Sequence, residues 1–428
     1  MELRQPHVEP LALDGGTPIR TAPLPQTLHG IQEVGAEEIA AVTEVLERRQ
    51  IFRFLAPEDE TYAGRLEAAF RAQTGRRFAL ATTGGTNALV AALAGLGVGV
   101  GDEVIVPGYT FVATAAAVLL AGAIPVIAEI DDTLTLDPRD VERKITPLTR
   151  CVIPVHMRGL PCQMDELLAV ARRHDLLVLE DCAQANGGTY RGRPLGSLGD
   201  AAEFSLGHHK LVTSGDGGVL ATDDERVWRR ACSRHDSGMG FWRPDSPGEH
   251  AFAGSNDRMC ELRAAVGVVQ MGRLPGILAR TRALKRRLVE ALRETPGVAL
   301  QRVADPDGDC GIVLGLSLPS AAEAERFSAA LAAEGVANGT IHNQGLPDRH
   351  VYSNWTYVLE KRSADRSGFP WAPQFYAGSV EYSRDMCPNT LDQLGRAVTI
   401  GISQRWSDAD AGDVIAAVRK VAAARYGS

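Results

Sequence analysis

Two stretches of sequence decide the fold: LEDCAQA at residues 179–185 and FSLGHHKLVTSGDGG at residues 204–218. The first closes an apolar run with an acid, Asp181. The second is a loop rich in Gly, Ser and His that contains Lys210, 29 positions after the acid. A carboxylate on so apolar a strand requires a cationic partner, because burying an unpaired charge is costly. The acid therefore predicts a ligand that supplies a cationic group, and the lysine lies in a loop of small and polar residues that suits the same site.

Around these stretches, apolar runs of strand length alternate with longer helical patterns. The predicted strands are Phe78–Thr82, Asp102–Pro107, Arg150–His156, Leu176–Asp181 and Val219–Thr222. The helical patterns include an Ala/Leu-rich segment that ends at Leu96, followed by Val112–Ala121 and Met164–His174. Strands that are apolar throughout and alternate with helices are typical of a parallel sheet covered on both faces. The sequence therefore predicts an α/β fold with a mostly parallel sheet.

The chain is predicted to divide into an arm and two domains. Residues 1–35 contain five prolines and a Gly-Gly pair, which are too many breakers for a regular element. We interpret them as an arm that lies over a neighbouring subunit or over the body of the chain. Residues 36–275 are predicted to form a large domain. Residues 276–428 are predicted to form a smaller α/β domain, with helices at Ile277–Arg293 and Ala409–Arg425.

Two further segments are singled out by their composition. Four glycines at alternate positions, 95 to 101, follow a helix and precede a strand, so they are predicted to cap and turn that helix. A dinucleotide-binding loop needs the opposite order. The segment 339–382 mixes polar and aromatic residues. It is either a substrate-facing loop or an ordinary surface excursion.

Composition and charge exclude several classes of function. The 428 residues include 45 Lys plus Arg against 53 Asp plus Glu, and the net charge of −8 gives no attraction to nucleic acid or anionic membranes. The seven cysteines include no Cys-x-x-Cys pair, so neither a zinc site nor any other metal is expected. The sequence lacks a signal peptide and an unbroken run of about 20 apolar residues. We therefore expect a protein of the reducing cytoplasm.

The acid and the lysine suit one cofactor, pyridoxal phosphate. This cofactor needs a lysine to form a Schiff base and a carboxylate to keep its ring nitrogen protonated. The sequence Thr83-Gly84-Gly85-Thr86, between a strand and an Ala-rich helix, offers free backbone N–H groups and the positive end of a helix to a phosphate. A plain helix cap of small residues is the alternative interpretation of these four positions.

These motifs and their order resemble the DegT/DnrJ/EryC1/StrS family, which comprises fold-type I aminotransferases acting on keto-sugars and keto-cyclitols. The resemblance runs from about residue 33 to the C-terminus and is strongest between residues 78 and 265. It implies an aspartate-aminotransferase-like large domain of three layers and a smaller C-terminal α/β domain. It assigns Lys210 as the Schiff-base lysine, Asp181 as the partner of the ring nitrogen, and Gln184 as a residue close to the cofactor. A plain helix-surface role is the weaker alternative for Gln184.

The resemblance also assigns the remaining contacts to the cofactor. Gly85, Thr86 and Ser205 match the family's phosphate ligands, and Phe111 matches the aromatic residue that stacks on the pyridine ring. Asn256 lies in a stretch similar to the one that crosses the dimer interface and reaches the partner's phosphate. The resemblance therefore implies a homodimer whose two sites are shared between the subunits.

The implied activity is transfer of an amino group from L-glutamine or L-glutamate to a keto-cyclitol or keto-sugar, by a ping-pong mechanism. The opening LALDGGTP, residues 11–18, is similar to glutamine-dependent inosose aminotransferases, which implies a role in aminoglycoside, amino-sugar or other secondary-metabolite biosynthesis. Two alternatives stay open. One is a sugar dehydratase or oxidase of the same family, assisted by His208 or His209, and the other is a non-catalytic regulator that binds pyridoxal phosphate. His156 is either structural or a substrate contact.

Overall fold

A computed structural model describes residues 10–238, 250–342, 345 and 347–426, and a seven-stranded sheet lies at its centre. Its strands are β1 (Phe78–Thr82), β2 (Glu103–Pro107), β3 (Ile124–Ala128), β4 (Thr149–Val152), β5 (Leu177–Asp181), β8 (Ala201–Ser205) and β9 (Gly218–Thr222). Between β5 and β8, the short strands β6 (Thr189–Tyr190) and β7 (Arg193–Pro194) form a hairpin. The sheet order is β1-β9-β8-β5-β4-β2-β3. Strand β9 runs antiparallel to β1 and β8, and the other four pairs are parallel, which confirms the predicted mostly parallel sheet.

Helices cover both faces of this sheet. They are α1 (Ala36–Arg48), α2 (Tyr62–Thr74), α3 (Gly85–Leu96), α4 (Ala113–Leu120), α5 (Pro138–Lys144), α6 (Met164–Arg173), α7 (Glu225–His235) and α8 (Glu261–Leu292). Side chains alternate between the two faces along each strand, so Val178 packs into one apolar cluster and Leu179 into the other. The result is a three-layer α/β architecture. No helix within the described residues combines the length and apolarity needed to cross a membrane.

A second, smaller sheet follows the first in the chain. It consists of β10 (Ala299–Leu300), β11 (Val313–Ser317) and β12 (Ala397–Gly401), all antiparallel. The remaining helices are α9 (Ala321–Ala333), α10 (Thr356–Leu359), α11 (Pro388–Gly395) and α12 (Asp408–Tyr426). The predicted domain boundary after residue 275 falls inside α8, which begins at Glu261 rather than at the predicted Ile277. Division of the chain at 36–275 and 276–428 stays a prediction.

Most predicted elements agree with the structure to within one or two residues. Strand β1 has the predicted bounds, and the glycine predicted to cap α3, Gly97, has the left-handed φ of 79° typical of a helix end. The predicted strand Arg150–His156 is shorter in the structure and ends at Val152. Strands β3 and β8 were not predicted. Ile124–Ala128 contains a proline, and Ala201–Ser205 contains a glutamate, so neither has the usual pattern of a buried strand.

The described part of the predicted arm, residues 10–35, lies over the body of the same chain; residues 1–9 lie outside the described residues. Leu11 is buried in the apolar cluster around the smaller sheet, and Arg20 forms ion pairs with Asp410 and Asp413. Further along, the N–H of Gly30 donates to the carbonyl oxygen of Lys210 over 3.1 Å. The arm therefore joins the smaller sheet to the loop that carries the predicted lysine.

Candidate active site

The predicted acid and lysine lie together at one edge of the large sheet. Asp181 ends β5, where its Oδ2 accepts the hydroxyl of Thr114 at 2.8 Å and its Oδ1 accepts the N–H of Ala183 at 3.1 Å. Lys210 follows β8, the strand next to β5, and interacts electrostatically with Asp181. Burial lowers the pKa of the Lys210 ammonium, against the opposing effect of the nearby carboxylates, so more of the amine is neutral and nucleophilic.

Sequence reasoning missed a second acid in this group, Glu203. Its position on β8 pairs directly with Asp181 on β5, and neither of its carboxylate oxygens accepts a hydrogen bond from a donor among the described residues. Burial and the adjacent Asp181 raise the pKa of Glu203 well above its usual range. The N-terminus of α3 nearby favours a negative charge by at most about 2 kcal/mol. Burial of a carboxylate costs several times that amount, so the neutral acid is favoured.

The predicted phosphate cradle lies beside the two acids, where α3 begins. No described residue accepts a hydrogen bond from the first-turn N–H groups of Gly85 or Thr86, which are left free as at other helix starts. The hydroxyl of Ser205, on β8, lies against Gly85. Three predicted phosphate ligands from two elements thus meet at one helix N-terminus. This is the geometry that a phosphate group requires.

Gly85 is needed here for a steric reason that can be tested. A methyl group at this position would overlap the Glu203 carboxylate and crowd the side chain of Ser205. We expect Gly85→Ala to weaken pyridoxal phosphate binding by about tenfold to a hundredfold, because overpacking typically costs about 1–3 kcal/mol. Titration of cofactor-free protein with pyridoxal phosphate, followed by absorbance, measures this. The matched control is Gly272→Ala in α8, where an added methyl meets nothing; equal affinities in the two variants would contradict the steric argument.

Phe111 and His350 form an aromatic wall, and Phe111 lies three residues before Thr114, whose hydroxyl donates to Asp181. The ring of Phe111 is 43% exposed, and the imidazole of His350 lies against it with the ring centroids 5.4 Å apart. The backbone of residues 349–351 bonds to the same loop, with the N–H of Thr110 donating to the carbonyl oxygen of His350. Part of the predicted segment 339–382 therefore lies next to the predicted stacking residue. Residues 343, 344 and 346 of that segment lie outside the described residues.

Arg158 joins this wall to Gln184, and sequence reasoning gave it no role. It has a left-handed backbone with φ of 54°, uncommon for a residue with a side chain, and its N–H donates to Oε1 of Gln184 at 3.0 Å. Its Nε donates to the hydroxyl of Tyr109 at 2.6 Å. The two terminal nitrogens of the guanidinium form no hydrogen bond with any residue in the described ranges. The carboxylate of Asp348 interacts with the guanidinium electrostatically.

His156 lies beneath the site and has structural partners. Its Nδ1 lies 3.1 Å from the N–H of Cys162, and its Nε2 lies 3.2 Å from a carboxylate oxygen of Glu180. Among the described residues, His156, Glu180 and Cys182 are the one group of three with metal-ligand atoms within 4.8 Å of each other. Glu180 also accepts hydrogen bonds from the backbone N–H groups of Gly196, Leu198 and Gly199. The three side chains are therefore engaged in internal hydrogen bonds.

Three other predicted residues lie at the edge of the site. Asn256 is exposed, and its backbone pairs with Asp236 of the same chain, so its predicted contact with a partner subunit stays a prediction. His208 and His209 are exposed, and their rings contact each other edge to face with centroids 5.1 Å apart. Neither histidine forms a hydrogen bond with another described residue through its side chain.

The arrangement matches a known family over most of the chain. A model of the DegT/DnrJ/EryC1/StrS aminotransferase family matches residues 32–366. The chain belongs to this family. The alternative of a non-catalytic regulator loses its support, because the matching family and several of the similar proteins and structures are aminotransferases. The protein is a pyridoxal-phosphate-dependent aminotransferase of the DegT/DnrJ/EryC1/StrS type.

Individual family members are similar to different extents. GDP-perosamine synthase of Caulobacter vibrioides is 43% identical over 50% of this chain and 57% of that protein, little more than half its length. A putative L-glutamine:3-amino-2,3-dideoxy-scyllo-inosose aminotransferase of Streptoalloteichus tenebrarius is 38% identical over 67% of this chain and 68% of that protein. The structure of DesV from S. venezuelae, solved with a ketimine intermediate, has a TM-score of 0.76 and 31% identity, covering 94% of this chain and 99% of that one.

The site of this DegT/DnrJ/EryC1/StrS family member fits pyridoxal phosphate. The free N–H groups at the start of α3 and the Ser205 hydroxyl suit the phosphate, and the exposed face of Phe111 suits the ring. Asp181 and Lys210 lie on adjacent elements of the same sheet edge, as a nitrogen partner and a covalent anchor must. The family's cofactor and the local chemistry therefore agree.

Proposed function

We propose that this aminotransferase moves the amino group of L-glutamine or L-glutamate to the ketone of a keto-cyclitol or keto-sugar, through a ping-pong mechanism. The observation that carries the proposal is the cluster of Lys210, Asp181 and the α3 cradle at one sheet edge. The acceptor class is supported by the similarity to an inosose aminotransferase and a perosamine synthase. A role in amino-sugar, aminoglycoside or other secondary-metabolite biosynthesis belongs to the same proposal.

Each residue of the cluster has a distinct task in this proposal. Bound pyridoxal phosphate supplies an electron sink for the charge left when the Cα–H bond of the donor breaks. Asp181, held by Thr114 and Ala183, keeps a proton on the ring nitrogen. The Lys210 amine carries the proton from the donor's Cα to the cofactor and returns it in the second half-reaction. Gln184, fixed by Arg158, lies close to the cofactor.

The two half-reactions share one site, and a second subunit is part of this proposal. Asn256 is exposed and free of hydrogen bonds to other described side chains, which suits a residue that reaches a partner. We therefore propose a homodimer in which Asn256 of each subunit contacts the phosphate held by the other. Sedimentation of the holoenzyme tests whether the dimer forms. Absorbance titration of the natural protein and of Asn256→Ala with pyridoxal phosphate tests whether cofactor affinity depends on this residue.

The amino donor is identified by its spectral effect on the holoenzyme. Purified enzyme loaded with pyridoxal phosphate is mixed separately with L-glutamine, L-glutamate and other amino acids, and the visible band is recorded. We expect one of the first two donors to remove the band and a keto-cyclitol or keto-sugar to restore it. A band that persists with every donor would overturn the proposal and favour the dehydratase or oxidase alternative, for which a sugar substrate alone should change the spectrum.

The fork of Arg158 is proposed to bind the carboxylate of the amino donor, because planar guanidinium groups bind carboxylates through two parallel hydrogen bonds. We expect Arg158→Leu to raise the donor concentration that half-saturates band loss by about 10- to 100-fold, the size expected for a charged hydrogen bond. Cofactor affinity should change little. The control is the reverse half-reaction with the aminated product, which lacks a carboxylate. An equal rise in the half-saturating concentration of both substrates would instead indicate that the Arg158 side chain only supports the neighbouring Tyr109.

A further inference from the structure

Glu203 is the one acid of the site that the proposed function leaves without a task. Its side chain is fully buried, neither of its oxygens accepts a hydrogen bond from a donor in the described part of the chain, and the Asp181 carboxylate lies within hydrogen-bonding reach of it. It is the direct neighbour of Asp181 across the β5–β8 pair, so the two side chains leave the sheet on the same face about 4.8 Å apart. Gly85 leaves the space into which the Glu203 carboxyl group extends.

The surroundings of Glu203 show where a proton resides in this pair. Asp181 accepts two hydrogen bonds, from Thr114 and Ala183, which stabilise its ionised form. Glu203 accepts none. The charged groups that face it are Asp181 from β5 and Lys210 from the following loop; α3 presents its N-terminus, and the residue paired with Glu203 on β9 is Leu220. Two adjacent buried carboxylates do not both ionise readily, so the one without donors keeps the proton.

We infer that Glu203 is a positioning residue, held as a neutral acid that donates a hydrogen bond to Asp181 and thereby limits the negative charge facing the cofactor ring. The pair then carries one negative charge and one shared proton. This inference rests on the proposed placement of the cofactor at Asp181 and Lys210. It goes beyond the proposed function because it concerns a residue that contacts neither substrate.

The test compares two variants by the pH midpoint of the visible band of the holoenzyme, which reports the charge near Lys210. Glu203→Gln keeps a neutral donor of the same shape, so we expect its midpoint to match that of the natural enzyme. Glu203→Leu removes the donor and leaves Asp181 with its full charge, so we expect its midpoint to rise by roughly half to one pH unit. Loss of a charge from an ionised Glu203 would instead lower the midpoint in both variants, by on the order of one to two units.

A second measurement needs no substrate or cofactor. Infrared difference spectra of cofactor-free natural protein and Glu203→Gln should contain the carbonyl stretch of a protonated carboxylic acid at neutral pH. Absence of this carbonyl band overturns the inference. So do pH midpoints that fall in both variants, and pH midpoints that stay unchanged in both. Because neither readout depends on turnover, failure of the donor assay would disprove the proposed function without touching this result.

Discussion

Replacement of Lys210 with alanine is expected to abolish the visible absorption of bound pyridoxal phosphate and to lower transamination by at least about 10³-fold. The reason is that the proposed function gives Lys210 two tasks, as covalent anchor and as carrier of the proton between donor and cofactor. Absorbance titration with cofactor measures the first, and single-turnover rates with the donor measure the second. The burial that lowers the pKa of the amine also makes the side chain hard to replace by a solvent molecule.

The matched control for this variant lies in the same loop. His208→Ala changes an exposed side chain two positions away from Lys210. It should leave both the absorbance titration with cofactor and the single-turnover rate with the donor close to those of the natural enzyme. If His208→Ala instead removed activity while Lys210→Ala kept part of it, the dehydratase alternative would gain support, since that reaction was expected to use the histidines. A Lys210→Ala variant with a normal visible band would place the anchor elsewhere.

Replacement of Asp181 with asparagine is the second large effect. We expect the rate of the donor half-reaction to fall by about 10²- to 10⁴-fold, because removal of one partner from a buried charge pair typically costs about 3–5 kcal/mol. The phosphate cradle is untouched, so cofactor affinity should fall much less. Stopped-flow absorbance with a saturating donor gives the rate, and titration gives the affinity.

A milder variant separates the charge of Asp181 from its orientation. Thr114→Val removes the hydroxyl that donates to Asp181 Oδ2 at 2.8 Å but keeps the carboxylate. We expect the rate of the donor half-reaction to fall by about tenfold, which corresponds to the free energy of one hydrogen bond to a charged group. Equal losses in Asp181→Asn and Thr114→Val would mean that orientation, rather than charge, dominates the role of the acid.

The sequence was sufficient for the parts of the site that depend on local chain order. Asp181 closes an apolar run, and the carboxyl end of a strand lies at the sheet edge where sites form, so its place followed from the pattern alone. The start of α3 was equally local, because two glycines precede an Ala-rich helix. Lys210 was identified by a motif within a few residues of itself. These three features needed no knowledge of which strands are neighbours.

Glu203 and Arg158 could not be found in this way, because their roles arise from non-local contacts. Glu203 matters through the pairing of β8 with β5, and a glutamate in the segment Ala201–Ser205 weakens the strand pattern itself. Arg158 matters through Tyr109, 49 positions earlier, and through Gln184, 26 positions later. Helix α8 was predicted too short for another reason. Pro275 normally ends a helix, but here it faces solvent, where water can bond the carbonyl group that the proline leaves free.

The contact between Gly30 and the Lys210 carbonyl has a consequence for the order in which the enzyme matures. The arm precedes the large sheet in the described chain, yet it is held by residues made much later, such as Glu334, 322 positions after Ala12. A nascent chain can therefore assemble its large sheet long before the arm is fixed. His29, next to Gly30, is likewise bonded to Gln404, so the contact with the lysine loop is fixed only after residues far along the chain have been made.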